Sequence, residues 1–138
     1  MGKKKILIVE DDPDVRKGLH LRLRANDYEV FFASDGMSSI VEARKHEPDL
    51  IILDLGLPAG DGFTVIERLQ MIPSLAVIPI IIVSGRTGLA NQARAVKTGV
   101  KAFLQKPVDN AELLAVIRHS LGEPAKPEDA AVHDIGII

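Results

Sequence analysis

The sequence predicts an α/β fold in which five parallel strands form one doubly wound sheet flanked by five helices. Short apolar runs alternate along the chain with longer segments whose apolar residues recur at helical spacing. Most of the short runs are apolar at every position, which indicates strands buried on both faces by helices. Repeated strand-to-helix units with short connections favour right-handed crossovers and hence a parallel sheet.

The five predicted strands are rich in Ile, Val and Leu, the last of them being the weakest of the set. Pro48 ends the helical segment before the third strand, and Pro79 stands at the start of the fourth strand, where a missing N–H donor is tolerated. The strands are predicted at residues 6–9, 30–33, 50–53, 80–83 and 102–104.

Each predicted helix carries one apolar stripe. Asp12 precedes Pro13 as a helix N-cap with proline in the first turn, and Asp109 with Glu112 resembles a capping box that opens the last helix. Gly122 ends that helix. The five stripes, in chain order, are Val15, Leu19 and Leu23; Met37, Ile40 and Val41; Ile66, Leu69 and Ile72; Leu89, Ala93 and Val96; and Leu114, Ile117 and Leu121.

The length of the chain, 138 residues, is that of one ordinary domain. We predict that this domain spans residues 1–122. Residues 123–138 contain two further prolines, small residues and charges without a convincing period, and we predict that they form a linker or C-terminal tail.

The composition indicates a globular protein of the cytoplasm. With 46% hydrophobic and 26% charged residues and a net charge of −2, the chain has no general basic field, so we expect no direct nucleic-acid binding. Cysteine is absent, which excludes disulfides and thiolate chemistry. No apolar run is long enough for a membrane span.

Acidic residues follow two of the predicted strands, and the carboxyl ends of parallel strands meet at one edge of the sheet. Glu10 and Asp11 follow the first strand, and Asp54 follows the third. Neighbouring carboxylates repel one another unless a cation joins them. Because the candidate ligands are oxygen atoms without His or Cys, Mg²⁺ is the metal that fits best.

Lys106 follows the fifth strand and Ser84 follows the fourth, at the same edge. A compact ammonium group and a hydroxyl donor both suit phosphoryl oxygens. Any one of these residues alone would more often be a cap or a loop residue, and we assign Asp12 to capping. Together they predict that Asp54 is a phosphoacceptor.

From about Lys5 to Leu121 the chain resembles the response-regulator receiver family of two-component phosphorelays. The matching motifs are ILIVEDD at residues 6–12, LDLGLPAGDG at 53–62, IIIVSG at 80–85 and FLQKP at 103–107. The resemblance implies a flavodoxin-like sheet with strand order 2-1-3-4-5. It also implies a signalling switch rather than an enzyme, phosphorylated by a histidine kinase or a histidine phosphotransfer protein.

The same resemblance assigns the site. It implies that Asp11 and Asp54 bind Mg²⁺ together with the backbone carbonyl of Gly56, and that Glu10 supports the ion through water. It further implies that Lys106 contacts the phosphoryl group.

The resemblance also implies how the signal leaves the site. Ser84 moves toward the phosphoryl group and Phe103 rotates inward as an aromatic switch, although an aromatic residue in a strand is more often core. The readout surface is the fourth helix, fifth strand and fifth helix of the predicted order. It acts on a downstream protein or an absent output domain and offers a possible homodimer contact. A cis bond before Pro107 is expected as well.

Two residues depart from the common pattern of the family. Gly56 lies two positions beyond Asp54, where many members carry a longer side chain, and Arg86 lies two positions beyond Ser84. Both neighbour the path of an attacking water, and we hypothesise that they set the lifetime of the phosphorylated state.

Two other functions are compatible with this architecture but fit the sequence less well. A phosphohydrolase of the haloacid-dehalogenase type also uses an aspartate after a parallel strand, with Mg²⁺ and lysine, but needs a second aspartate where this chain has Gly56. A nucleotide- or flavin-binding module would share the architecture, but no glycine-rich phosphate-binding motif follows any strand.

Overall fold

The computed structural model describes residues 2–57, 62–85, 89–131 and 137, with the backbone alone at residues 89, 90 and 131. These residues form one five-stranded parallel sheet in the order β2-β1-β3-β4-β5, as predicted. The strands are β1 (Lys5–Val9), β2 (Glu29–Ala33), β3 (Leu50–Leu53), β4 (Ile80–Ser84) and β5 (Ala102–Gln105).

Helices connect the strands, and the described residues contain one helix more than predicted. The additional element is a single-turn helix, α4, whose first residue is Pro73. Proline is common in the first turn of a helix, so the sequence contained a signal for this element. The predicted fourth and fifth helices are therefore α5 and α6. The helices are α1 (Pro13–Ala25), α2 (Gly36–His46), α3 (Gly62–Gln70), α4 (Pro73–Ala76), α5 (Leu89–Thr98) and α6 (Asn110–Leu121).

The sheet is buried on both faces, as its continuous apolar strands predict. Ile51 and Ile52 are adjacent in β3, yet they belong to separate apolar clusters on opposite faces of the sheet. Every residue of β3 is at most 2% exposed. Burial from both sides explains why these strands are apolar throughout instead of alternating.

The N-caps at Asp12 and Asp109 and the glycine stop at Gly122 are present as predicted, whereas the reciprocal half of the predicted Asp109–Glu112 capping box stays a prediction. The Asp12 carboxylate accepts hydrogen bonds from the backbone N–H groups of Asp14 and Val15 at the start of α1. Asp109 accepts from the backbone N–H of Glu112 at the start of α6, and Gly122 ends that helix at a φ of 70°. These contacts satisfy terminal backbone groups that a helix cannot pair internally.

Two predicted apolar stripes do not face the core as predicted, because a helical period identifies a face without showing which way it points. In α5, Ala93 and Val96 are exposed and Ala95 is buried instead, while the side chain of Leu89 lies outside the described residues. In the α2 stripe only Ile40 packs against the core.

In α2 the side chains of Met37 and Val41 are 75% and 57% exposed, whereas Ser39 and Ala43 are buried. The Ser39 hydroxyl donates to the backbone carbonyl of Gly36, so this small polar residue is buried at little cost.

The segment after α6 is attached to the domain as far as it is described. It contains a 3₁₀ turn, Pro127–Ala131, and its Asp129 pairs with Arg118 of α6. At its far end, Ile137 forms an isolated antiparallel bridge with Ala102. The division into a domain of residues 1–122 and a tail of residues 123–138 stays a prediction. No helix in the described part of the chain is long and apolar enough to cross a membrane.

Candidate functional site

The pairing register of the sheet brings Glu10 and Asp54 side by side. Val9 at the end of β1 is paired with Leu53 at the end of β3, and the Asp54 N–H donates to the Val9 carbonyl over 3.0 Å. The next residue on each strand is therefore a carboxylate. The strand order reverses between β1 and β3, and ligands of open α/β sheets bind at such a point.

Three carboxylates form a cluster at this edge of the sheet. Glu10, Asp11 and Asp54 each offer one oxygen atom, and these oxygens all lie within 4.8 Å of one another. Glu10 and Asp54 are buried, at 3% and 9% exposure, while Asp11 is exposed. Three oxygen ligands with one side open to solvent suit a hard divalent cation that retains water molecules.

Lys106 brings a positive charge to the cluster. Its backbone N–H donates to the Ser84 carbonyl over 2.9 Å, which fixes the end of β5 beside the end of β4. Its ammonium nitrogen lies 2.5 Å from Glu10 Oε1 and 3.4 Å from Asp54 Oδ2. The peptide bond that follows, to Pro107, is cis as expected.

Two groups of the site, Glu10 and Lys106, have pKa values shifted from their ordinary values. Burial raises the pKa of Glu10 above its ordinary value, the hydrogen bond from Lys106 opposes that rise, and the charge of Asp54 reinforces it. Burial alone would lower the pKa of Lys106, but its contacts with Glu10 and Asp54 outweigh burial and raise that pKa. Lys106 thus offsets part of the cost of keeping Glu10 ionised, and the two neighbouring carboxylates stabilise the charge of Lys106.

Backbone contacts orient the carboxylates. The Glu10 carboxylate accepts from the Asp12 N–H over 3.3 Å, and the Glu10 carbonyl accepts from the Arg16 guanidinium over 3.0 Å. Asp54 Oδ1 accepts from the Gly56 N–H over 3.1 Å. These contacts fix two of the three carboxylates and leave Asp54 Oδ2 on the side of Lys106.

The two residues proposed as switches lie on neighbouring strands. Ser84 is fully buried at the end of β4. Phe103 lies in β5, half-buried and packed against the larger apolar cluster. Arg86, named above as a departure from the family pattern, lies outside the described residues.

Two residues of the site were not identified from the sequence. Arg16 holds the Glu10 backbone, and nothing in its local sequence signals that contact. A Cβ atom at Gly62 would lie 2.7 Å from Leu55 Cα and 3.1 Å from the Asp54 carbonyl oxygen, so the start of α3 packs directly against the backbone that carries Asp54. The sequence signal for Gly62 was its place at the end of the motif LDLGLPAGDG.

Comparison with known proteins identifies the family of this fold and site. Residues 6–118 match the family model described as "Response regulator receiver domain". The chain belongs to this family, whose members are signalling switches of two-component systems.

Individual relatives agree with this assignment. The chain is 35% identical over 129 residues to the DNA-binding dual master transcriptional regulator RpaA of Synechocystis, covering 94% of this chain and 54% of the relative. It is 37% identical over 116 residues to the KDP operon transcriptional regulatory protein KdpE of Escherichia coli, covering 84% and 50%. The chain thus spans about half the length of these two relatives.

A solved structure with the same fold is described with a bound magnesium ion. The receiver domain of the sensor histidine kinase PA1611 from Pseudomonas aeruginosa superimposes with a TM-score of 0.80 at 26% identity, covering 89% of this chain and 100% of that one. That structure is described with a magnesium ion coordinated in its active-site cleft. The Glu10, Asp11 and Asp54 cluster of this chain has a donor set that fits such an ion.

Proposed function

We propose that this chain is a phosphorylation-controlled switch whose phosphoacceptor is Asp54. A histidine kinase or a histidine phosphotransfer protein would be the donor. The observation that carries the proposal is the juxtaposition of three carboxylates within 4.8 Å with a lysine ammonium 3.4 Å from Asp54 Oδ2. A carboxylate placed between a cation site and a lysine is suited to attack phosphorus.

In the proposed reaction an Asp54 carboxylate oxygen forms a bond to the phosphorus of a phosphohistidine. The P–N bond of the donor breaks, and its electron pair remains on the imidazole, which takes up a proton. The product on this chain is an acyl phosphate. Such a transfer depends mainly on positioning and on neutralising the charge of the phosphoryl oxygens.

Lys106 would supply part of that neutralisation by turning from Glu10 toward the phosphoryl oxygens. Asp11 and Asp54, with the backbone carbonyl of Gly56, would hold Mg²⁺, and Glu10 would support it through water. The ion, when bound, offsets the negative charge of the carboxylates and of the incoming group. The exposed side of the cluster at Asp11 leaves room for the donor.

Phosphorylation would be reported through Ser84 and Phe103. New phosphoryl oxygens would attract the Ser84 hydroxyl, and Phe103 would turn inward behind it, shifting the balance between two packings. The surface formed by α5, β5 and α6 would then change its contacts with a downstream protein, an output domain or a second copy of this chain.

The direct test is chemical phosphorylation. The protein is incubated with acetyl phosphate and MgCl₂, and its intact mass is measured. We expect one added phosphoryl group, no addition to Asp54→Asn, and unchanged addition to Asp12→Asn, which retains the helix cap. Undiminished modification of Asp54→Asn would refute the assignment.

The same preparation separates this function from a phosphohydrolase. A switch gives one labile phosphoryl group per chain and no sustained release of product from small phosphoesters. A phosphohydrolase of the haloacid-dehalogenase type would turn such esters over many times. Rapid multiple turnover that is lost in Asp54→Asn would favour the hydrolase.

A further inference from the structure

An apolar groove lies between α2 and α3. Its volume is about 380 Å³, and five of its six lining residues are apolar. The sixth is a cation, Arg68. The lining residues are Met37, Ile40, Val41, Arg68, Met71 and Ile72.

The walls of this groove are unusually exposed for apolar side chains. Met37 is 75% exposed, Val41 57% and Met71 80%. Ile40 and Ile72 form the floor, where they pack against the larger core cluster. A continuous exposed apolar surface of this kind marks an interaction site more often than single scattered residues do. Unbranched methionine side chains adapt readily to the shape of a partner.

The groove is positively charged. Besides Arg68, the exposed Arg44 follows Ile40 by four positions and Met37 by seven, so it lies on the same side of α2.

The nearest carboxylate on α2 is turned away from the groove. Glu42 pairs with His46 over 3.1 Å. The His46 ring stacks on Phe31 of the edge strand β2, on the side of α2 opposite α3.

The nearest carboxylate on α3 is turned away as well. Glu67 lies one turn from both Phe63 and Gln70 on that helix. Phe63 contacts Arg94 of α5, and the Gln70 amide donates to the Thr98 carbonyl at the end of α5. Glu67 therefore lies on the α5 side of α3, so the positive charge of Arg68 and Arg44 is not cancelled within the groove.

We infer that the α2–α3 groove binds an amphipathic helix of a partner protein that carries carboxylates beside its apolar stripe. Helices commonly bind in this way, with apolar residues spaced one turn apart filling a groove between two helices. The cations at the groove would pair with the carboxylates and set the orientation of the partner helix. The groove shares no residue with the carboxylate cluster, so binding does not require Asp54.

The test uses a defined probe, a fluorescein-labelled, lactam-bridged helical peptide with leucines one turn apart and glutamates beside them. A matched peptide has lysines in place of the glutamates. Fluorescence anisotropy on the unphosphorylated full chain is expected to show the acidic peptide binding about tenfold more tightly than the basic one. The glutamates attract the arginines at the groove, whereas the lysines repel them. Equal affinity of the two peptides, or no binding of either, would overturn the inference.

Two pairs of variants locate the binding. Arg68→Glu is expected to reverse the preference between the peptides, and Arg24→Glu, an exposed arginine on α1, to leave it unchanged. Met71→Ser is expected to weaken the acidic peptide about tenfold, whereas Val77→Ser, which is 81% exposed outside the groove, is not. All four residues are exposed, so the fold should tolerate these changes.

Two further measurements could contradict the inference. Amide shifts in the NMR spectrum should change along α2 and α3, and changes confined to α1 would refute the site. Analytical sedimentation of the wild type alone should show no self-association through the groove. Self-association that disappears in Met71→Ser would be the contradicting result. In that case the occupant would be a second copy of this chain and not a partner helix.

Discussion

Arg118 of the last helix holds Asp129 in a two-pronged ion pair. Its Nε donates to Asp129 Oδ2 over 2.9 Å and its Nη2 donates to Oδ1. The Arg118 side chain is only 5% exposed and that of Asp129 12%. The same carboxylate accepts from the Lys126 N–H, so one side chain fixes the 3₁₀ turn and ties it to the domain.

Replacing this carboxylate should destabilise the whole domain. Asp129→Ala leaves the Arg118 guanidinium buried without its partner, and we expect a loss of about 2–3 kcal/mol in the free energy of unfolding. Glu128→Ala, an exposed acidic residue in the same turn, is the matched control and should cost little. Urea denaturation measures both, and equal costs for the two variants would show that the ion pair is not structural.

The same pair predicts a pH dependence. Hydrogen bonds from Arg118 lower the pKa of Asp129 from its ordinary 3.8 to about 2. Because the pKa is lower in the folded chain, the stabilisation is complete well above pH 3.8 and is lost as the pH falls toward 2.

The measurement is the difference in unfolding free energy between the wild type and Asp129→Asn, followed from neutral pH downward. We expect this difference to stay constant until the pH approaches 4 and then to shrink. The same difference in unfolding free energy between the wild type and Glu128→Gln, measured over the same pH range, is the control. A difference as large at pH 2.5 as at neutrality would contradict the role given to the Asp129 carboxylate.

We predict that Lys106 competes with a divalent cation for the carboxylates. Its ammonium group lies close to both Glu10 and Asp54, so Lys106→Met removes a positive charge from the cluster. We expect Mg²⁺ to bind about fivefold more tightly to this variant while phosphorylation by acetyl phosphate slows. Calorimetric titration gives the affinity, and Lys101→Met, at an exposed lysine outside the cluster, is the control. Weaker Mg²⁺ binding by Lys106→Met would refute the competition.

The close packing at Gly62 predicts that this glycine is required for the position of Asp54. In Gly62→Ala the new methyl group meets the Leu55 backbone at 2.7 Å, and backbone cannot move aside as a side-chain end can. We expect a loss of about 1–3 kcal/mol in stability and slower phosphorylation.

Gly18→Ala is the matched control, since a Cβ atom there meets nothing within 4 Å. This glycine lies inside α1, where alanine should add about 0.5–1 kcal/mol of stability. Phosphorylation of Gly18→Ala should be unchanged. Equal phosphorylation rates for the two variants would show that Gly62 does not position the acceptor.

Much of the fold could be predicted because its signals are local. Runs such as Leu50–Leu53 are apolar at every position, and only burial on both faces makes such a run favourable. The carboxylate cluster was also predictable. Glu10 and Asp54 follow paired strands directly, and a parallel sheet brings the ends of such strands to one edge.

The orientation of α2 could not be predicted in the same way. A helical period shows that Met37 and Val41 share a face, but it does not say whether that face meets the sheet. A Cβ atom at Gly36 would lie 2.7 Å from Val65 Cγ2, so α2 packs closely against α3. The small residues Ser39 and Ala43 are buried in α2, whereas Met37 and Val41 remain exposed.

The sequence by itself determined the strands, the strand-end carboxylates and the helix caps, because each depends on residues adjacent along the chain. The tertiary structure alone decided which side of α2 is exposed and how Arg118, a charge on a buried face of α6, is compensated. Its partner Asp129 lies in a segment that the sequence predicts to be a linker or tail. Such pairings depend on where separate segments meet in space, and no local pattern encodes that meeting.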